Sequence, residues 1–133
     1  MITLLRITDP RGDLTFVEGN QRVPFDTARA YYLYNAAVDA ERGEHAHRSL
    51  QQVIFALSGR CRLRLDGDRG IADDILLRDP SVGVYFDRMT LHELDQFSQG
   101  SVSMVLASEP YEAAEYIRDR AEFDALAAAE RSG

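Results

Sequence analysis

The sequence predicts an all-β domain, either a closed barrel or two packed sheets, followed by one C-terminal helix. Three observations carry this prediction. Short runs rich in β-branched and aromatic residues recur along the first hundred or so positions. Turn residues punctuate them at close intervals, the pattern of sandwiches and barrels. After Pro110 the composition becomes alanine-rich with helical spacing.

Taken in order, Arg11-Gly12-Asp13 reads as a turn leading into a strand at Leu14–Val17, and Glu18-Gly19-Asn20-Gln21 as a second turn. Ala28–Ala36, rich in tyrosine, reads as a strand, and Asp39–Glu44 as a polar loop. Gln52–Leu57 and Cys61–Leu65 read as strands joined by a hairpin-like connection at Ser58-Gly59-Arg60. Asp66-Gly67-Asp68-Arg69-Gly70 marks another turn, and Ile71–Leu77, Gly83–Phe86 and Ser101–Ala107 complete the strands. Ser108-Glu109-Pro110 resembles a helix start, so Tyr111–Glu130 reads as a helix with Tyr116, Arg120, Phe123 and Leu126 along one side. No repeat or linker interrupts residues 1–133, which read as a single domain.

Composition narrows the function. The 133 residues carry a net charge of −7, which argues against general nucleic-acid binding. No apolar run reaches the ~20 residues of a membrane span, and the N-terminus lacks the pattern of a secretion signal. A single cysteine, Cys61, excludes an internal disulfide and fits a reducing cytoplasm. All 15 cationic side chains are arginine, so lysine Schiff-base chemistry, including covalent pyridoxal phosphate, is closed to this chain. Arginine suits bidentate phosphate binding.

All three histidines sit where chemistry can use them. His45 and His47 are two apart, so on an extended segment both rings share a face. His92 follows much later, and rings converging from distant strands are a common way to build a metal or acid–base site. The spacing His45-x-His47, four residues, Gln52, six residues, Gly59 resembles the first motif of the cupins, with Gln52 in place of the glutamate of metal-binding members. His92 stands where the second cupin motif supplies its histidine. A neutral amide is a poor substitute for a carboxylate ligand, so the reading is a metal-free, cofactor-free pocket with imidazoles free for proton transfer.

A more specific resemblance runs from about Arg11 to Phe123. Arg11-Gly12-Asp13-Leu14-Thr15-Phe16-Val17-Glu18, Pro24-Phe25, Arg29-Ala30-Tyr31-Tyr32-Leu33-Tyr34 and Arg42-Gly43-Glu44-His45-Ala46-His47 are similar to the dTDP-4-keto-6-deoxy-glucose 3,4-ketoisomerases. So are Leu50-x-Gln52-Val53, Ser58-Gly59-x-Cys61-Arg62, Gly83-Val84-Tyr85, Leu91-His92-Glu93, Val105-Leu106-Ala107-Ser108 and Tyr116-Ile117-Arg118. The resemblance implies a cupin jelly-roll β-barrel with a C-terminal helix, usually a homodimer. It also implies a dTDP-linked keto-deoxy sugar as substrate and a place in deoxyamino-sugar synthesis. It casts His47 as the base, His45 as its partner, Tyr32 as a proton relay and Arg42 as an enolate or phosphate contact. Arg62 matches the family motif and, with Arg29, is assigned to the diphosphate; Gln52, Tyr85 and His92 are placed against the substrate. Arg60, Arg62 and Arg64 alternate with apolar residues, so an exposed polar face accounts for at least one of them. Phe86-Asp87-Arg88-Met89 departs from the family near a stretch that differs between members with different C4 stereochemistry, so the product's C4 configuration stays open. Rival readings are a sugar-nucleotide 3,5-epimerase, a metal-dependent cupin and a non-catalytic sugar-nucleotide-binding cupin.

Overall fold

The computed structural model describes residues 1–18, 22–39, 42–66, 72–111, 116–117 and 120–132, with backbone alone at 42–45, 72, 120 and 130–132. Among the described residues, twelve strands and one helix follow in chain order: β1 (Ile2–Thr3), β2 (Arg6–Asp9), β3 (Gly12–Thr15), β4 (Arg29–Leu33), β5 (Arg42–His47), β6 (Gln52–Ser58), β7 (Cys61–Asp66), β8 (Ala72–Leu77), β9 (Val82–Phe86), β10 (Leu91–Asp95), β11 (Val102–Ala107), β12 (Tyr116–Ile117) and α1 (Arg120–Ser132). They form two five-stranded sheets, ordered β1-β9-β6-β11-β4 and β12-β5-β10-β7-β8, plus the β2–β3 hairpin. This is the all-β jelly roll with a terminal helix that the sequence predicts.

Period-two alternation explains how the sheets pack. In β6, Ile54 and Ala56 point between the sheets, where they meet Cys61, Leu63, Leu77 and Leu94 from the opposite sheet. Val53 and Phe55 point the other way, into a second cluster with Leu4, Val23, Phe25 and Leu106 supplied in part by the N-terminal segment. The second sheet is likewise covered on its outer face, by a cluster of Ala46, Met89, Leu91 and Ile117 with Phe123 and Ala127 of α1. An ion pair of Arg48 with Glu122 (2.6 Å) ties the end of β5 to that helix.

Three expectations are corrected. Ser58-Gly59-Arg60 does not close a hairpin: β6 and β7 lie in opposite sheets, and the segment is a corner between them. Gly59 has a φ of 69°, and a Cβ there would sit 2.3 Å from Ser98 Oγ, so both backbone conformation and space call for glycine. The corner is pinned by Arg60 N donating to Ser98 Oγ (2.9 Å) and Ser98 N donating to Arg60 O (2.9 Å). Second, the helix starts at Arg120 rather than Tyr111. Tyr116 and Ile117 instead extend the second sheet, pairing with His47 and Ala46. Third, the loop expected over Asp39–Glu44 already belongs to β5 from Arg42.

Candidate active site

β5 and β10 bring the histidine motifs together. They run antiparallel with His45 opposite His92 and Arg42 opposite Leu94, so three residues of β5 span what two of β10 span, a β-bulge beside the motif. The side chains of Arg42 and His45 lie outside the described residues. Ala46 points outward into the helix-covered cluster; His47, its neighbour, is turned to the interior and is 3 % exposed. Its ring stacks on that of His92 at 5.5 Å and 18°. His92 Nδ1 lies 3.4 Å from Thr90 O, which can only accept.

From this pair a circuit of side-chain contacts runs through the barrel interior and out to Tyr111, which is 60 % exposed. His92 meets Phe86 (4.7 Å between centroids), and His47 meets Tyr116 edge-on (4.5 Å). Tyr116 contacts Tyr111 (5.6 Å). The Arg29 guanidinium lies 5.6 Å from the Tyr111 ring centre and 5.1 Å from that of Tyr31. Tyr31 Oη accepts a hydrogen bond from Gln52 Nε2 at 3.0 Å, and Gln52 sits opposite Phe86 in the β6–β9 register, which closes the circuit. Arg29 Nε and Gln52 Oε1 are buried without a hydrogen-bond partner in the protein. Such groups are costly unless something else satisfies them. The enclosure combines two imidazoles, phenols, a cation and an amide: groups able to carry protons and to neutralise an anion.

Three residues expected in the site are elsewhere, for one reason each. Tyr32 follows inward-facing Tyr31 on β4 and so takes the opposite face; it is 64 % exposed and lies against Tyr34. Tyr85 pairs with Val53 on the outward row and tilts against Phe25, donating to Gln51 Oε1 at 3.0 Å; burial first, then the nearby Asp87 charge, pushes its phenol above the usual range. Arg62 points out of the second sheet and grips Asp95 through Nε (2.7 Å) and Nη2 (2.5 Å). The bound guanidinium holds the Asp95 carboxyl below the ordinary carboxylate range. Arg64 similarly faces Asp74 at 3.2 Å. The phosphate role read for Arg62 therefore gives way to a structural ion pair. Cys61, expected in the core, is there, and burial pushes its thiol up.

Residues 1–128 match the family model described as "FdtA: WxcM-like, C-terminal". The TDP-4-oxo-6-deoxy-alpha-D-glucose-3,4-oxoisomerase of Aneurinibacillus thermoaerophilus is 42 % identical over 118 residues, 89 % of this chain and 84 % of that one. This chain belongs to the FdtA-like family. A member of known structure, the sugar 3,4-ketoisomerase of Thermoanaerobacterium thermosaccharolyticum in complex with TDP, superposes with a TM-score of 0.93 at 37 % identity, covering 97 % of this chain and 93 % of that one. A histidine-to-asparagine mutant of the same enzyme, in complex with TDP-4-keto-6-deoxyglucose, matches with a TM-score of 0.91 at 37 % identity, over 95 % of this chain and 91 % of that one. The Mycobacterium tuberculosis rmlC epimerase matches at a TM-score of 0.72 but 19 % identity, over 88 % of this chain and 66 % of that one, which is a likeness of fold alone. Within this FdtA-like chain, sequence reasoning missed Tyr31, Tyr111 and Tyr116. Tyr31 was legible in principle, because it shares a parity with Arg29 and Leu33 and Tyr32 does not.

Proposed function

We propose that this chain is a TDP-sugar 3,4-ketoisomerase acting on TDP-4-keto-6-deoxyglucose, with His47 as the base. The observation that carries this reading is a buried imidazole stacked on a second one inside an enclosure that also holds a phenol and an arginine. The hydrogen on C3 is acidic because it lies α to the C4 ketone. His47 removes it as the C3–H electron pair forms the C3–C4 double bond and the carbonyl pair moves to O4. Protonation of O4 gives an enediol. Loss of the O3 proton then re-forms a carbonyl at C3 while C4 gains a proton, yielding the 3-keto sugar. Atoms and electrons balance within the sugar, so no redox cofactor is consumed. Each positioned acid or base supplies about 10²–10⁴-fold, and the cations and donors at the oxyanion supply much of the rest.

Tyr31 replaces Tyr32 as the relay, since its hydroxyl is the one on the inner face. His45 keeps its role as the partner of His47, and Arg42 its role at the enolate or phosphate, both from the motif. Arg29 takes the diphosphate: its Nε is buried without a protein partner and its guanidinium is framed by two tyrosine rings. His92 contacts the sugar or orients His47. We also read the chain as a cytoplasmic homodimer serving deoxyamino-sugar synthesis. The exposed apolar residues Leu14, Phe16, Leu57 and Tyr32 near the outer face of the first sheet support self-association, and sedimentation at several concentrations tests it. No helix among the described residues is long and apolar enough to cross a membrane.

The test of the reaction is incubation with TDP-4-keto-6-deoxyglucose followed by NMR. A new 3-keto species supports the proposal. Hydrogen exchange confined to C5, with the ketone left at C4, would replace it with the epimerase reading.

A further inference from the structure

The geometry of one amide carries a role separate from substrate contact. Gln52 is 1 % exposed, and its Oε1 is sealed from solvent. Tyr31 is half-buried on β4, and its hydroxyl reaches this amide across β11, which lies between β4 and β6. Gln52 Nε2 donates to Tyr31 Oη at 3.0 Å. An amide nitrogen only donates, so the phenol oxygen is the acceptor in this bond and its own hydrogen is directed away from Gln52. The cation nearest that phenol on its own strand is Arg29, 5.1 Å from the ring centre. From the opposite sheet, His47 and His92 belong to the same circuit of side chains.

We propose that Gln52 is a positioning residue: by donating to Tyr31 Oη it fixes the phenol as a proton donor toward the reacting sugar and stabilises its phenolate once the proton has left. This rests on the ketoisomerase reading for its purpose, though not for its geometry. It gives a chemical reason for an amide at this position. A carboxylate would accept from Tyr31 and turn the phenol hydrogen back toward itself. Gln52 is therefore reassigned from direct substrate binding to control of the polarity of the relay.

The sign of one titration tests this independently of turnover. In the full-length chain labelled with 13Cζ-tyrosine, the Tyr31 resonance is identified by its absence in Tyr31→Phe, and its ionisation midpoint is followed by NMR. A donor to Oη favours the phenolate, so Gln52→Met raises the Tyr31 midpoint, by about one unit. Gln52→Glu, which keeps the side-chain volume should the methionine variant fold poorly, raises it further through its negative charge. With substrate, Gln52→Met lowers kcat about tenfold or more while KM stays within about threefold, the pattern of a lost transition-state interaction. Gln52→Met added to Tyr31→Phe costs little beyond Tyr31→Phe alone, because both act through one hydroxyl. A midpoint that falls or stays put in Gln52→Met overturns the proposal, since the amide would then present its carbonyl to the phenol or not touch it. Full additivity of the two substitutions in kcat overturns it as well. If the midpoint rises but the unsubstituted protein does not isomerise the sugar, the hydrogen-bond assignment stands and the reaction assignment falls.

Discussion

At the scale of single residues, function here turns on which face of a strand a side chain takes. Tyr31 and Tyr32 are chemically identical neighbours, yet one contacts Gln52 inside the barrel and the other lies against Tyr34 in solvent. Tyr31→Phe is expected to reduce kcat by about 10²-fold, in the range of a lost general acid, while Tyr32→Phe leaves kcat and KM unchanged; steady-state kinetics on both variants checks this. The same contrast separates two arginines. Arg29→Met raises KM for the TDP-sugar by about tenfold or more, as expected for a lost charge-assisted contact to the diphosphate. Arg62→Met leaves KM alone, because its guanidinium is held by Asp95 on the outside of the second sheet. The sequence signalled residue types and motif spacing well, and His47 with His92 came together as the spacing suggested. It was weaker on strand faces, since Tyr31-Tyr32 offers two phenols and a one-residue error in phase exchanges them.

At the scale of elements, the features missed by the sequence reading share a physical cause. β10 escaped notice because its apolar residues do not alternate: Leu91 faces the helix-covered cluster and Leu94 the core. A strand covered on both faces loses its period-two signature. β12 is two residues long, too short for any periodicity, and Tyr116 happens to fall in phase with Phe123 and Leu126, so the helix was read too early. That helix is held by Phe123, which is 1 % exposed against Met89, Leu91 and Ile117. Phe123→Ala is expected to cost about 3–5 kcal/mol, the usual range for emptying a buried aromatic site, with protease cleavage moving first to the C-terminal segment. The Arg62–Asp95 pair gives β7 and β10 a pH dependence. Its carboxyl has a lowered pKa in the folded chain, so its stabilisation is complete above the unfolded value of about 3.9 and is lost as pH falls through the lower folded value. Asp95→Asn therefore lowers the melting midpoint at pH 6, and the gap from the unsubstituted chain narrows as the pH falls below about 4.

At the scale of the whole molecule, two sheets share one apolar core, and each outer face is covered in part by a different terminal segment. The barrel can therefore hold polar and titratable groups at one end of its interior without depending on them for cohesion. Charged and hydroxyl groups inside are expensive when unsatisfied, and Arg29 Nε and Gln52 Oε1 remain so in the protein alone. A molecule built this way is stabilised by a ligand that completes the contacts of Arg29. Added TDP is expected to raise the melting midpoint with a logarithmic dependence on its concentration, and Arg29→Met should reduce that rise. The measurement that bears most directly on the central claim is hydrogen exchange at C3 of TDP-4-keto-6-deoxyglucose in D₂O, followed by NMR with the unsubstituted chain and with His47→Asn. The unsubstituted chain is expected to remove the C3 hydrogen and deliver deuterium to C4 of the 3-keto product. His47→Asn should still bind the sugar nucleotide but lose at least about 10²-fold in both events. Deuterium appearing at C4 at an undiminished rate with His47→Asn would remove His47 as the base.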